Sequence, residues 1–228
     1  MRIISLCLLL AFGITSCNSD SSKNELADYF YPMTGEGQVY VYRDVKNGLV
    51  ERFHRIYRIE DSQGKHIVVE IYSEDARIIE AYNYNVDSLN LVDHMIVDRD
   101  GKKRQAELFK NTLFPMNMTD ETYFASRFPG VRDSTLILQE IQRKVNPVKQ
   151  KEQITIMGKK KQALIIEDNY RTTIFNPISK EESELNGRNY SYYVKGIGLA
   201  RWHDKDKKSD FRLQNILTEK QWTQLINN

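Results

Sequence analysis

Period-two alternation of apolar and polar residues, not helical spacing, dominates this 228-residue chain. Residues 38–43 run Gln-Val-Tyr-Val-Tyr-Arg, a strand of β-branched and aromatic residues. Lys46-Asn47-Gly48 follows as a hairpin signal, because Asn-Gly tolerates the positive φ of a tight primed turn. Residues 50–59 set Phe53, Tyr57 and Ile59 on one parity and Arg52 and Arg58 on the other. Residues 65–72 alternate Ile67, Val69 and Ile71 against His66, Glu70 and Tyr72, and 78–84 continue the pattern. Leu89, Leu91, Met95 and Val97 share one parity, and further strands fall at 103–109, 134–145, 153–157, 161–167, 170–175, 188–195 and 211–217. Strands at this spacing, separated by Gly- and Asp-rich turns, predict an antiparallel meander.

Four segments depart from alternation. Leu26, Ala27, Tyr29 and Phe30 suggest a short helical turn, closed by a Pro- and Gly-containing turn over 31–37. Residues 116–130, with Thr119-Asp120-Glu121-Thr122 as a helix start and Pro129-Gly130 as its end, predict a short helix or irregular cover over the sheet. Residues 179–187 are charged and polar and read as an exposed loop or single helical turn. Thr218-Glu219-Lys220-Gln221 fits a capping box and starts a C-terminal helix carrying Trp222, Leu225 and Ile226. The expected fold is mainly β (β-rich α+β): an antiparallel sheet with short covering helices and a short C-terminal helix, in one domain over 25–228.

The first residues have another character. Arg2 is followed by an apolar run, Ile3 to Ile14, broken only by Ser5 and Gly13, then Thr15-Ser16-Cys17 and a polar stretch. A membrane span needs roughly 20 apolar residues, whereas roughly 10–14 suits a signal-peptide core. Ile14-Thr15-Ser16-Cys17 resembles the lipobox of bacterial lipoproteins. That resemblance implies a cleaved signal peptide over 1–16 and a Cys17 bearing diacylglycerol and an amide-linked third chain such as palmitate. It further implies attachment to a Gram-negative membrane, here expected to be the outer one, with periplasmic and surface leaflets both open. Residues 17–24 then form a lipidated N-terminus and polar tether.

Composition narrows the chemistry. Losing 1–16 removes Arg2 and no acid, so the processed chain is close to neutral, and no long single-sign block calls for nucleic-acid binding or electrostatic membrane adhesion. Its 40% apolar content suffices for a core. The chain has two cysteines, Cys7 and Cys17, so after processing no thiol is left for a disulfide, a metal or a nucleophile.

Catalytic motifs are not evident. Gly196-Ile197-Gly198 lacks the third glycine of a dinucleotide fingerprint, since Arg201 stands there, and reads as a bulge or bend between strands. His54, His66, His94 and His203 show no i, i+4 pairing and are expected to be surface or half-buried. Asp204, Asp206 and Asp210 lack the glycine and terminal glutamate of a calcium loop and suggest a solvated turn. No cofactor is expected. The thirteen tyrosines are unusual: Tyr40/Tyr42, Tyr82/Tyr84 and Tyr190/Tyr192 each place two rings on one sheet face, suited to an apolar or sugar-like ligand or simply to covering a sheet. Asp87-Ser88-Leu89 and Asp133-Ser134-Thr135 resemble the Asp-Ser/Thr acceptor of envelope O-glycosylation, which would put sugar on Ser88 and Ser134.

Two segments resemble poorly characterised Gram-negative envelope lipoproteins. One is Phe30-Tyr31-Pro32-Met33 leading through Gly37 to Tyr40-Val41-Tyr42, with Tyr40 where a tryptophan is common; the other is Tyr192-Tyr193-Val194-Lys195-Gly196-Ile197-Gly198-Leu199. Such proteins resemble the curved antiparallel half-barrel of the outer-membrane lipoprotein carrier. The resemblance implies a curved sheet or half-barrel and no catalytic residues. Two functions are therefore expected: a non-catalytic binding or scaffold module for another envelope protein, or a carrier of lipid or another apolar ligand in a half-barrel cavity. Intact-mass measurement of the membrane-extracted protein should show a chain starting at Cys17 with three acyl chains, and Cys17→Ser should abolish the acyl mass. An added sugar mass is the separate check on Ser88 and Ser134.

Overall fold

A computed structural model describes residues 25–32, 36–48, 51–98, 100–130 and 135–227. The signal peptide expected over 1–16, Cys17, the tether expected over 17–24 and Ser134 lie outside the described residues.

Fourteen strands make one antiparallel sheet. They are β1 (Gln38–Asp44), β2 (Glu51–Asp61), β3 (Gly64–Tyr72), β4 (Ile78–Asn85), β5 (Leu91–Val97), β6 (Lys103–Gln105) and β7 (Glu107–Asn111). The rest are β8 (Glu121–Pro129), β9 (Leu136–Val145), β10 (Lys151–Ile156), β11 (Lys159–Phe175), β12 (Glu182–Val194), β13 (Gly198–Asp204) and β14 (Asp210–Thr218). Their spatial order is β6-β5-β4-β3-β2-β1-β14-β13-β12-β11-β9-β8-β7, with β10 on the edge of β11. The two ends of that order, β6 and β7, are separated in the chain by Ala106 alone, so the sheet curls into a nearly closed barrel. At the seam the Ala106 amide donates to the His94 carbonyl at 2.8 Å. Farther along, the ladder is replaced by an isolated bridge between Asn90 and Thr112 and by an Asn111 side-chain bond to the Leu91 carbonyl at 3.1 Å.

The hairpin signal at Asn47-Gly48 and the alternation of β1 to β4 match the expected meander. Three expectations change. Residues 121–129 are a strand, because Thr122, Phe124 and Ser126 are buried at period two while Glu121, Tyr123 and Arg127 are exposed. The acid that suggested a helix start, Asp120, instead accepts the amides of Met116 and Asn117. Residues 182–187 extend β12 rather than forming a loop; exposure of nearly the whole stretch leaves no alternation to read. In β5 a register shift beside Asn83/Tyr84 reverses the parity, so Leu91 and His94 point inward where Leu91 and Met95 were expected to share a face.

The interior is filled largely by rings and by two inserted chain segments. A 3-10 turn, Ala27–Tyr29, delivers Leu26, Phe30 and Tyr31 into the barrel, and the Leu26 amide donates to the Met116 carbonyl of the second segment, 112–120. Phe30 meets Tyr84 at 5.0 Å, Phe114 at 5.1 Å and Tyr31 at 5.4 Å between ring centroids; Phe114 meets Tyr193 at 5.2 Å and Tyr31 meets Tyr40 at 5.4 Å. Gly198 (φ +96) makes room for this insertion: a Cβ there would stand 2.6 Å from Tyr31 Cδ1.

A smaller cluster lies on the outside of β1 and β2. The capping box holds: the Gln221 amide donates to Thr218 Oγ1 at 3.3 Å, and the Thr218 amide donates to Gln221 Oε1 at 2.9 Å. It starts α1 (Glu219–Ile226), which seats Trp222 against Phe53 and Tyr72 at 5.1 and 5.3 Å. Arg55 ties the helix to the sheet by pairing with Glu219 and Glu70, each at 3.0 Å.

Phe30→Ala should cost about 3–5 kcal/mol in urea unfolding, the price of an aromatic cavity in a core. Ile178→Ala, at an exposed turn residue, should stay within about 0.5 kcal/mol.

Candidate functional site

Of the six tyrosines in i, i+2 pairs, four face the barrel interior and two the opposite side of β12, where Tyr192 is also buried. Tyr40, Tyr42, Tyr82 and Tyr84 are inside and buried against other rings. Tyr190 and Tyr192 pair across strands with His203 and Arg201 on the opposite face, because Ser191 and Tyr193 hold the inward parity on β12. The six therefore do not line one groove. Tyr40 and Tyr42 donate their hydroxyls to the carbonyls of Ile197 and Leu199, both at 2.7 Å, which locks β1 to the start of β13 across the barrel. Burial raises the pKa of both hydroxyls, so each remains a donor at neutral pH. Ser88 is exposed in the β4–β5 turn, where its hydroxyl donates to Asn85 at 3.2 Å.

All four histidines are buried, contrary to the surface or half-buried positions expected of them. Each is a polar residue in the slot of an apolar one, which alternation alone does not flag. Three have partners that fix their roles. His203 Nδ1 donates to the Asp204 carbonyl at 2.7 Å, so Nε2 accepts from the Tyr192 hydroxyl at 3.2 Å. His54 Nδ1 and the Tyr31 hydroxyl are 3.1 Å apart, with the imidazole between Tyr42 and Trp202. Burial, helped by Arg52, lowers the His54 pKa to about 3, so this ring is neutral. His94 stands between Glu80 Oε1 at 2.8 Å and Ser126 Oγ at 3.0 Å.

The Glu80–His94–Ser126 connectivity matches that of a nucleophilic triad. Its setting does not suit one. Ser126 and His94 are fully buried, the imidazole lies flat on Tyr82 at 4.7 Å and 1°, and Phe124 and Phe128 meet its edges. Among the described residues the Ser126 hydroxyl has no exposed surface. What the cluster does instead is clamp β4 and β5 to β8 across the seam where the backbone ladder is interrupted.

A second buried cluster joins β9, β11 and β12. Arg143 Nε meets Asp168 Oδ1 at 2.6 Å, Ser191 donates to Asp168 Oδ2 at 2.7 Å, and Arg143 Nη1 donates to the Leu113 carbonyl at 3.0 Å. Burial opposes the Arg143 charge, but Asp168 and its neighbours outweigh that and raise its pKa. Through Leu113 this pair also holds the inserted segment 112–120. The two partners are 25 residues apart in sequence, so no local motif announces them.

The chemically varied surface accessible to a partner lies outside, on a four-stranded face of β8, β9, β11 and β12. Register aligns Tyr123, Gln142, Asn169 and Arg188 in one row and Ala125, Glu140, Arg171 and Asn186 in the next. Tyr123 is 48% exposed, and together with Gln142, Tyr170 and Arg171 it borders a shallow open groove. Among the described residues no three His, Cys, Asp or Glu side chains converge as a metal site.

The His54 protonation gives a pH dependence. Below about pH 6.5 the unfolded chain takes up a proton that the folded imidazole refuses until about pH 3, so stability falls as pH drops through that window. The slope approaches about 1.4 kcal/mol per pH unit. Thermal melts between pH 7 and pH 4.5 should show a smaller drop in His54→Gln than in the wild type.

No protein-family model matches this chain, and no curated protein matches it. Among solved structures, the chain is similar to a "putative lipoprotein" from Parabacteroides distasonis ATCC 8503, at 14% identity over 82% of this chain and 97% of the other, with a TM-score of 0.47. It is also similar to a "putative exported protein with YmcC-like fold" from Bacteroides fragilis NCTC 9343, at 16% identity over 82% and 98% of the two chains, with a TM-score of 0.41. Neither likeness assigns a role.

Proposed function

We propose that this protein is a non-catalytic, lipid-anchored module of the bacterial envelope. Acylated Cys17 holds it at the outer membrane, and its barrel docks another envelope component against its outer surface. The observation that carries this reading is the filled interior. Phe30, Tyr31 and Phe114 occupy the space in which a carrier would hold its cargo, and they are themselves buried against the inward-facing tyrosines. The lipobox supports the anchor. The exposed tyrosine and arginine of the β8–β9–β11–β12 face support docking there, since those residue types are enriched at protein interfaces.

Cross-linking in intact cells, detergent extraction and mass spectrometry should recover one recurrent envelope protein. Its yield should fall at least about fivefold in a Tyr123→Ala/Arg171→Glu variant whose melting temperature is unchanged, as expected for loss of two interface anchors. A stoichiometric free lipid released from the natively extracted protein, or recovery indifferent to the two substitutions, would reject the proposal.

A further inference from the structure

The barrel is close to neutral as a whole, yet its lysines are not evenly spread. Strand directions put the 25–32 segment, the 146–150 loop, the Met157-Gly158 turn and the Lys195–Ile197 turn at the same end of the barrel. Direct contacts agree. The Gly196 amide donates to the Asp28 carbonyl at 2.9 Å, Lys195 Nζ is 2.7 Å from Asp28, and Lys151 Nζ lies 5.9 Å from the centre of the Tyr29 ring. The end at which the tether enters is therefore the end at which β10 and β11 turn.

That hairpin reaches past its neighbours. β12 ends at Val194 opposite Ala163, so Lys159 to Gln162 pair with β10 alone. One side of the hairpin is held down, since Ile154 and Ile156, paired with Lys161 and Lys159, are buried in the main core, and the Met157-Gly158 turn faces outward. Its tip carries Lys159, Lys160 and Lys161, all exposed, and among the described residues none of the three has a carboxylate partner. Lys149 and Lys151 lie at its base; the acid next to Lys151, Glu152, pairs with Lys149 at 2.8 Å. Two apolar side chains at the two ends of β10 face solvent: Met157 at the tip, 45% exposed, and Val148 in the loop at the base, 94% exposed.

We propose that the β10–β11 hairpin is a second membrane contact, in which Lys159, Lys160 and Lys161 meet the phosphates of anionic lipid headgroups and Met157 dips into the interface. Charge and apolar exposure combined at one exposed tip suit a lipid surface, and lysines near such a surface add attraction together. Reach is compatible. Cys17 precedes Glu25 by eight residues, a span of up to about 28 Å, so anchor and tip can touch the same leaflet. This step rests on the anchored reading above for its orientation, and once the acyl chains are inserted the tip acts at high effective concentration. Two contacts would then fix the barrel's orientation on the membrane, leaving the β8–β9–β11–β12 face turned sideways.

The test separates tip from anchor. A chain beginning at residue 17 with Cys17→Ser keeps every described element and carries no acyl group and no thiol, so Met157→Cys in that background accepts one polarity-sensitive dye at the tip. The unlabelled chain should co-sediment with phosphatidylglycerol-containing vesicles and not with phosphatidylcholine alone. Lys159→Glu/Lys160→Glu/Lys161→Glu should weaken that binding at least about tenfold at unchanged melting temperature, and the dye should shift to the blue only on the anionic vesicles. Equal binding by the triple variant, equal binding to both vesicle types, or a soluble polyanion bound as tightly with no dye shift would overturn the proposal. The intact mass of the natural membrane-extracted protein tests the anchor separately. Acylation without a hairpin effect rejects only the second contact, and a hairpin effect without acylation rejects only the anchor.

Discussion

Twelve strand positions around one barrel, counting β6 and β7 as a single kinked strand, enclose more space than inward-pointing side chains fill by themselves. Diameter grows with strand number, and side chains alone suffice near eight strands. The rest of the structure answers that constraint. The chain lends two of its own segments to the interior, 25–31 and 112–116, and sets tyrosine, phenylalanine and tryptophan rings among the aliphatic residues of the wall. The inward-facing tyrosines thus have a structural use: a ring wide enough to span the gap with a hydroxyl that can reach a carbonyl on the far wall, as Tyr40 and Tyr42 do.

Polar groups inside follow the same logic. Each charged or imidazole group in the clusters around His54, His94 and Arg143 meets a partner on a different strand or on an inserted segment, since an unpaired one would carry a desolvation penalty. The resulting bonds link walls that the backbone ladder does not, at the seam in the case of His94 and Ser126 and at the inserted segment in the case of Arg143 and Leu113. Glu80, 21% exposed, and the fully buried His94 and Ser126 act as joinery between strands.

Alternation, turn residues and the capping box at Thr218 were enough to read the mainly β class, most strand positions and the terminal helix. What they missed has physical causes. A bulge adds one residue and reverses every later parity, which misplaced Met95 and hid His94. A strand exposed along nearly its whole length shows no alternation, which made 182–187 look like a loop. Closure itself depends on Ala106 lying between two partners more than ten residues away on either side, a relation no local window contains. The candidate contact surfaces were less legible still, because Tyr123, Gln142 and Arg171 gather only when four strands are in register.

The segment that plugs the barrel is also the first of the domain to be made. Leu26 to Tyr31 find their sites against Phe114, Tyr193 and Gly198, so the plug has no seat until nearly two hundred residues have been synthesised. Contacts this remote in sequence form slowly. For the exported chain proposed above, that delay would be of use: the leading end would stay uncommitted during passage, and the fold would be completed only after the far strands had followed it across.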